Sequence, residues 1–226
     1  KTFAQIDFIK RNILHLYEED LAKYDIDNTQ KASVIFKTMP EQLENKNSHF
    51  KFSVIDKNAR YREYVDAVSF IAESMIGNEC INVTKPEIAL ELFADSSNFK
   101  LYMGDTGLLV TQIMNNKDET DENIYKSLII DNLGINQGMV IENIVAQMLR
   151  VSGHDLYFHE YLYTPAGSAK EKKYEIDFIT VKNKKICPIE VKSSGYTSHK
   201  SFDYLVEKYQ MKMQDRFIIY TKDLKY

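Results

Sequence analysis

The N-terminal half of the chain carries its hydrophobic residues at helical spacing. Apolar side chains recur every three or four positions over residues 3–24 and 58–76, which predicts two amphipathic helices. Between them a helix is predicted with Asp27 or Asn28 as its N-cap and an end before Pro40, followed by a short helix around residues 41–45. The pattern therefore predicts three main helices in the first third of the chain.

The segments around these helices read as extended chain. Short strand-like stretches cover residues 50–55, 79–84 and 99–103, and Gly77 is placed to cap the end of the third helix. Three helices followed by a hairpin-like pair of strands are the order of a winged-helix module. We therefore predict a helical, winged-helix-like domain over residues 1–114.

The pattern changes after an acidic, polar stretch. Residues 115–122 (NNKDETDE) have no apolar period, so 115–135 is predicted to be a linker and lead-in. Helical and strand-like segments then alternate in the order α-β-β-β-α-β over 136–226. This order predicts a mixed sheet with helices on its faces, an α/β fold. Its predicted segments are 136–152, 156–163, 174–181, 186–192, 199–213 and 217–221.

Composition narrows the class of protein. No apolar run reaches the roughly 20 residues that a membrane span needs. Cys80 and Cys187 are isolated, which favours reduced core thiols in a cytoplasmic protein. Residues 1–135 carry a net charge of −7 and residues 136–226 a net charge of +3. The C-terminal half can therefore meet phosphates, although its charge does not require it.

Two neighbouring strands of the C-terminal half carry candidate chemistry. Glu-Ile-Asp-Phe-Ile (175–179) is followed by Pro-Ile-Glu-Val-Lys (188–192). Strand alternation puts Glu190 and Lys192 on one face, and adjacent strands lie about 5 Å apart, within reach of Asp177. Two converging carboxylates suit Mg²⁺ or Mn²⁺. Such a metal would polarise a phosphoryl oxygen, and the lysine would orient or help to deprotonate the attacking water, or stabilise the developing negative charge.

A third carboxylate lies on the predicted helix 136–152. At about 100° per residue, Glu142 falls inside the apolar stripe formed by Val145 and Leu149. A carboxylate in that position needs a positive partner or a hydrogen-bond donor. A metal shared with Asp177 and Glu190 would provide one. A lone Glu-x-Lys on a strand is more often a solvated ion pair, so the prediction rests on the whole set in this element order.

These motifs resemble the C-terminal region of a widespread prokaryotic family of AAA+ ATPases. The resemblance rests on residues 99–109 (FKLYMGDTGLL), 138–149 (GMVIENIVAQML), the two strand motifs and Lys51-Phe-Ser-Val-Ile. It implies a winged-helix part followed by a restriction-endonuclease-like domain of the PD-(D/E)XK type, itself of uncertain activity. The family's metal-site positions fall on Glu142, Asp177, Glu190 and Lys192.

The resemblance also sets expectations about partners. The family carries an N-terminal ATPase domain, but this chain has no GxxxxGK[ST] phosphate loop. ATP is therefore expected only in a domain absent from this chain, which would be its partner, and no membrane is expected. Family members often form rings, so an oligomer is a further expectation.

Three functions remain open from the sequence. The first is a metal-dependent phosphodiesterase in which Asp177 and Glu190 hold the metal, Lys192 positions the nucleophile and Glu142 assists. The second is a catalytically silent module of the ATPase that binds nucleic acid or protein. The third is a winged-helix DNA-binding regulator whose C-terminal core dimerises and which binds duplex without metal.

Several basic residues are candidates for nucleic-acid contact. Arg60 and Arg62 open the predicted helix 58–76 and would suit a recognition helix. Lys200 and Lys208 on the predicted helix 199–213 could line a phosphate path. Packing between domains and a solvated helix face are the ordinary alternatives.

Two further motifs have structural interpretations. Asp105-Thr106-Gly107 matches the short aspartic-protease motif, but a second aspartate is missing and a helix follows. An N-cap at Asp105 is the favoured interpretation. His154 and His159 are predicted to have surface or hydrogen-bonding roles.

Overall fold

The computed structural model shows an α/β protein whose chain forms two compact units. It describes residues 3–24, 30–45, 49–114, 137–193, 199–211 and 216–220. The first unit comprises 1–79 and 101–147, and the second comprises 80–100 and 148–226. In this division, residues 80–100 of the N-terminal half belong to the unit that contains the C-terminal strands. The predicted domain boundaries at 114 and 136 stay a prediction, and the predicted linker 115–135 lies outside the described residues.

The helices follow the predicted order in most places. The first helix confirms the prediction over 3–24, and the helix predicted over 136–152 is also present. The last helix is shorter than predicted, although part of its predicted range lies outside the described residues. The six α-helices of the described chain are α1 (Phe3–Tyr24), α2 (Lys31–Glu44), α3 (Val65–Glu73), α4 (Thr106–Ile113), α5 (Gln137–Val151) and α6 (Lys200–Tyr209).

The helix α2 does not end before Pro40, as predicted, but continues to Glu44. A proline inside a helix leaves the carbonyl four residues earlier without its N–H donor. Here that carbonyl is Phe36 O, and Gln112 Nε2 donates to it at 3.1 Å. The side chain from α4 replaces the missing bond, so the helix continues through the proline. The predicted caps Asp27 and Asn28 lie outside the described residues.

The predicted helix 58–76 forms only in part. Tyr61–Glu63 is a single 3-10 turn, and the α-helix begins at Val65 and ends at Glu73. Ser74 Oγ donates to Phe70 O at 2.7 Å, which competes with the backbone ladder. Gly77 is not the C-cap that was predicted, since it begins the first strand.

A six-stranded mixed sheet joins both halves of the sequence. Its order is β2-β1-β3-β4-β5-β6. The strand β1 pairs with β3 in parallel, β4 pairs with β3 and β5 antiparallel, and β6 pairs with β5 in parallel. The predicted segment 50–55 is a 3-10 turn instead of a strand. The strands are β1 (Gly77–Val83), β2 (Ala94–Met103), β3 (Leu156–Tyr163), β4 (Lys172–Lys182), β5 (Lys185–Lys192) and β6 (Phe217–Tyr220).

The α-β-β-β-α-β order predicted for the C-terminal half is confirmed by α5, β3, β4, β5, α6 and β6. The two predicted N-terminal strands also form, and they are neighbours, but at one end of the shared sheet. A winged-helix arrangement therefore stays a prediction.

The second unit is held together by an apolar cluster on one face of its strands. Ile176 and Ile179 of β4 are fully buried with Phe202 and Leu205 of α6. Tyrosines surround this cluster, and Tyr161 and Tyr174 stack at 5.8 Å between ring centroids. Both cysteines, Cys80 and Cys187, are buried and form no disulfide with each other, as predicted. Within the described residues, no helix has the length and apolar character of a membrane span.

His159 is a fully buried member of this unit and has the hydrogen-bonding role that was predicted. Its Nδ1 lies 2.6 Å from Val83 O, which can only accept, so Nδ1 carries the proton. Nε2, 2.9 Å from Tyr209 Oη, then accepts from the tyrosine. Burial lowers the pKa of His159 below its ordinary value; Lys208 adds to this effect, while the Val83 bond and Glu160 oppose it.

The lowered pKa predicts that the unit loses stability in acid. At pH values between the folded and the unfolded pKa of His159, the unfolded chain binds one more proton than the folded chain. The free energy of unfolding therefore falls as the pH drops below about 6.5. Between pH 7 and pH 5, the contribution of His159 to the slope of the free energy of unfolding against pH is at most about 1.4 kcal/mol per pH unit. We expect His159→Gln to remove this contribution, as measured by urea unfolding. His154→Gln, at an exposed histidine, is the control. Identical slopes in the native chain and His159→Gln would contradict the prediction.

Candidate functional site

Asp177 lies at an irregularity in the strand β4. On β3, Tyr157 and His159 are two residues apart, but their partners Ile179 and Ile176 are three apart, so β4 has one extra residue. Ile176 and Ile179 are both fully buried in the same cluster. This is a β-bulge, a feature that re-aims a side chain and is frequent beside active sites. Simple alternation therefore does not describe β4 at this position.

The side chain of Asp177 connects β4 to β5. The antiparallel ladder runs from Lys182↔Lys185 to Phe178↔Ile189. Beyond that pair, Asp177 Oδ2 accepts from the backbone N–H of Val191 at 2.7 Å. The carboxylate takes the place of a ladder carbonyl where the strands part. The structure therefore places Asp177 next to the Glu-x-Lys segment, as the sequence predicted.

Glu190 is a buried carboxylate with an unusual environment. Only 1% of the residue is exposed. Lys192 Nζ lies 2.8 Å from Glu190 Oε2, and the lysine side chain is 29% exposed. No donor among the described residues reaches either carboxylate oxygen with hydrogen-bond geometry. A buried carboxylate normally gathers several donors, so this one has capacity for a further positive partner.

Tyr161 lies close enough to Glu190 for the charge of the carboxylate to act on the tyrosine. Burial raises the pKa of Tyr161 well above its ordinary value, and the nearby charge of Glu190 adds to the effect. The tyrosine O–H donates to Ser201 O at the start of α6. Glu190, Lys192 and Tyr161 therefore lie near one another in the second unit.

Glu142 lies in the first unit, where it has a different partner. Tyr102 Oη donates to Glu142 Oε1. The predicted partner for this helix carboxylate was a metal, but a phenol is the partner that the structure shows in this unit. Its contribution to a metal site remains a prediction.

The helix α5 also carries a pair of side chains, not predicted from the sequence, that hold the turn at Met103 to Thr106. Asn143, fully buried, accepts from Met103 N at 2.8 Å and donates to Met103 O at 3.1 Å. Its Nδ2 also lies 2.8 Å from Thr106 Oγ1. One helical turn later, Gln147 Oε1 accepts from the backbone N–H of Thr106 at 3.0 Å. A buried Asn beside Glu142 on an otherwise apolar helix face was the available signal.

The same turn contains Asp105, whose predicted role is confirmed. Its Oδ1 accepts from Leu108 N at 2.8 Å, at the start of α4. This is the N-cap bond that satisfies an orphan helix donor. The aspartic-protease interpretation has no support in this geometry.

The basic candidates occupy exposed positions. Arg60 and Arg62 precede α3 instead of opening it, because the 3-10 turn replaces its predicted first part. Lys200 begins α6 and is exposed. Lys208 Nζ donates to Leu162 O at 2.7 Å and lies over the rings of Tyr161 and Tyr209. Nucleic-acid binding by these four residues stays a prediction.

The arrangement of the possible ligand side chains limits how a metal ion could be bound. In the part of the chain that the structure describes, no group of three or more His, Cys, Asp or Glu side chains is arranged to hold a metal ion. Any divalent cation at Asp177 and Glu190 would therefore need substrate or solvent oxygens to complete its ligands.

The chain is thus an α/β protein of two units. Its mixed sheet carries the carboxylates Asp177 and Glu190 and the lysine Lys192. Residues 1–119 match the family described as a domain of unknown function, DUF8612, and residues 137–226 match another domain of unknown function, DUF4143. The chain belongs to the DUF8612 family and carries a DUF4143 region. Neither the curated proteins nor the solved structures contain a match.

Proposed function

We propose that the second unit is a metal-dependent phosphodiesterase core of the PD-(D/E)XK type. The observation that carries the proposal is Glu190, a buried carboxylate for which the described part of the chain provides one close cation, Lys192. The α-β-β-β-α-β order and the β-bulge at Asp177 support it. Burying a charge with so few partners is unfavourable for folding alone, which favours a functional reason for keeping it.

The carboxylates present fit a hard divalent cation. Mg²⁺ and Mn²⁺ bind oxygen ligands, and both Asp177 and Glu190 supply them. Such an ion would supply Lewis-acid polarisation of a phosphoryl oxygen. Asp177 would hold its ligand position through the Val191 N–H bond. Lys192, 2.8 Å from Glu190, would orient the attacking water or stabilise developing negative charge.

A second function is favoured by the ion pair itself. Lys192 already neutralises Glu190 at 2.8 Å, and no three-ligand group occurs among the described residues. If the pair is purely structural, this unit is a catalytically silent module that binds nucleic acid or protein. In either case we propose that the chain acts as the C-terminal region of an AAA+ ATPase whose ATPase domain is absent from this sequence.

Titration calorimetry with Mn²⁺ separates the two functions. We expect the native chain to bind Mn²⁺, and Asp177→Asn and Glu190→Gln each to weaken binding by more than about tenfold, because each removes a charged ligand. Glu171→Gln, at an exposed carboxylate of the same unit, is the matched control and should bind as the native chain does.

The contrary results are clear. Equal Mn²⁺ affinity in the native chain and both variants would overturn the proposed site. If the native chain binds no Mn²⁺ alone or with a phosphodiester added, the silent module is the correct function.

A further inference from the structure

The turn between β4 and β5 concentrates positive charge. Lys182, Lys184 and Lys185 are exposed, and the turn contains no acidic residue. Lys182 and Lys185 are direct partners across the ladder. Like charges at directly opposed positions destabilise an antiparallel pair. The hairpin therefore presents three exposed lysine side chains close together.

The backbone of this turn adds a second unfavourable feature. Asn183 and Lys184 have φ values of 51° and 58°. Asparagine tolerates this left-handed region, but lysine rarely adopts it, and Gly is the usual residue there. A non-glycine residue in this backbone conformation is unfavourable, and such strained residues are more frequent at functional sites. An anion between the lysines would relieve the repulsion.

An open groove lies beside the base of this hairpin, within the second unit. Its volume is about 330 Å³, and Thr180 and Val181, which directly precede Lys182, form part of its wall. Tyr157 provides an aromatic ring, and Ile88 and Leu92, both exposed, provide apolar surface. The groove is therefore of a size and character to receive a planar aromatic group.

The groove also has an acidic side. Glu91 and Asp155 line it, and Arg150 Nη1 lies 2.6 Å from Asp155 Oδ1. The arginine compensates one of these two charges. The groove therefore offers acceptors beside an aromatic ring, while the hairpin offers cations.

We infer that the β4–β5 turn and this groove bind single-stranded nucleic acid, with phosphates on the three lysines and one unstacked base against Tyr157. Stacking on aromatic rings beside a basic surface is how such strands are bound without sequence preference. A duplex keeps its bases stacked and would leave the groove unused. This inference rests on the proposed function, since it names the substrate class.

The position of the turn relates it to the candidate site. Asp177 and Lys182 are five residues apart on β4, which at about 3.3 Å per residue is about 16 Å. A short single-stranded segment can span that separation, so the lysines would anchor a strand whose continuation reaches the acidic pair.

Fluorescence anisotropy with a labelled single-stranded oligonucleotide, in EDTA, tests the inference without metal. We expect Lys182→Gln/Lys184→Gln/Lys185→Gln to reduce the slope of log affinity against log salt by about 2, because three single-strand phosphate contacts are lost. Tyr157→Leu should weaken binding by about tenfold. The control Lys37→Gln/Lys51→Gln/Lys57→Gln makes the same charge change at exposed lysines of the first unit and should retain the native slope.

Other outcomes would overturn the inference. They are no oligonucleotide binding by the native chain at low salt, the same slope in both triple variants, tighter binding of a matched duplex, or binding only to phosphatidylserine vesicles. The hairpin variant should fold, since it loses a repulsion, and a circular-dichroism melt checks this. The strand-binding measurement is made in EDTA, without divalent metal, so failed Mn²⁺ binding and failed strand binding are separate results.

Discussion

Replacing Asn143 with leucine is expected to lower the free energy of unfolding by about 3 kcal/mol or more, since each buried polar group left unsatisfied costs about 1–3 kcal/mol. Asn143 is fully buried and bonds both the N–H and the carbonyl of Met103. Leucine has nearly the same size but cannot make either bond. The backbone N–H and carbonyl of Met103 would then lose these two bonds in a buried position, and Thr106 would lose a donor.

Urea unfolding followed by circular dichroism measures this effect. Asn58→Leu is the control, because Asn58 is exposed and surface changes usually stay within about 0.5 kcal/mol. A loss below about 1 kcal/mol in Asn143→Leu would show that the Met103 turn finds other partners. The result bears on the site, because Asn143 follows Glu142 on α5 and fixes the turn that follows Tyr102.

Replacing Gly104 with alanine is expected to cost more than about 2 kcal/mol, because overpacking against fixed atoms forces backbone shifts. A Cβ at this position would lie 2.2 Å from Met75 O and 3.1 Å from Ile76 O. These atoms are backbone, so they cannot rotate away as a flexible side chain would. Gly104 N also donates to Ile76 O at 2.9 Å, which keeps the two segments together.

A second glycine of the same unit provides the comparison. At Gly107 the nearest atom to a new Cβ is Oδ1 of the Asp105 side chain, at 3.0 Å, which has to move by only a few tenths of an ångström while it keeps its N-cap bond to Leu108 N. Gly107→Ala also gains helix propensity in α4, so we expect a change within about 1 kcal/mol. Thermal melts of the two variants measure the difference. Equal melting temperatures would contradict the steric account of Gly104.

The candidate site was predicted from sequence because its residues lie on adjacent strands. Asp177, Glu190 and Lys192 occupy the strands that the alternation predicted, and β4 pairs with β5. Local alternation is enough to bring such residues into one neighbourhood. The bulge at Asp177 was not predicted, since it depends on the register with β3.

The failed helix predictions have a common origin. The helix α2 continues through Pro40 because Gln112, distant in sequence, donates to Phe36 O. The helix predicted over 58–76 begins late because its first residues form a 3-10 turn that places Glu63 Oε2 3.0 Å from Arg60 N. Hydrogen bonds from side chains altered both helix boundaries, and a periodicity of apolar residues does not report such bonds.

By itself, the sequence determined the α/β class, the order of the elements after residue 136, and the acid–acid–lysine set, because all three follow from local periodicity and chain order. Only the tertiary structure decided that β1 and β2 join the sheet of the C-terminal half. It also decided that Glu190 is buried and that α5 clamps the Met103 turn through Asn143. These features depend on contacts between residues far apart in the chain, whose pairing no local pattern specifies.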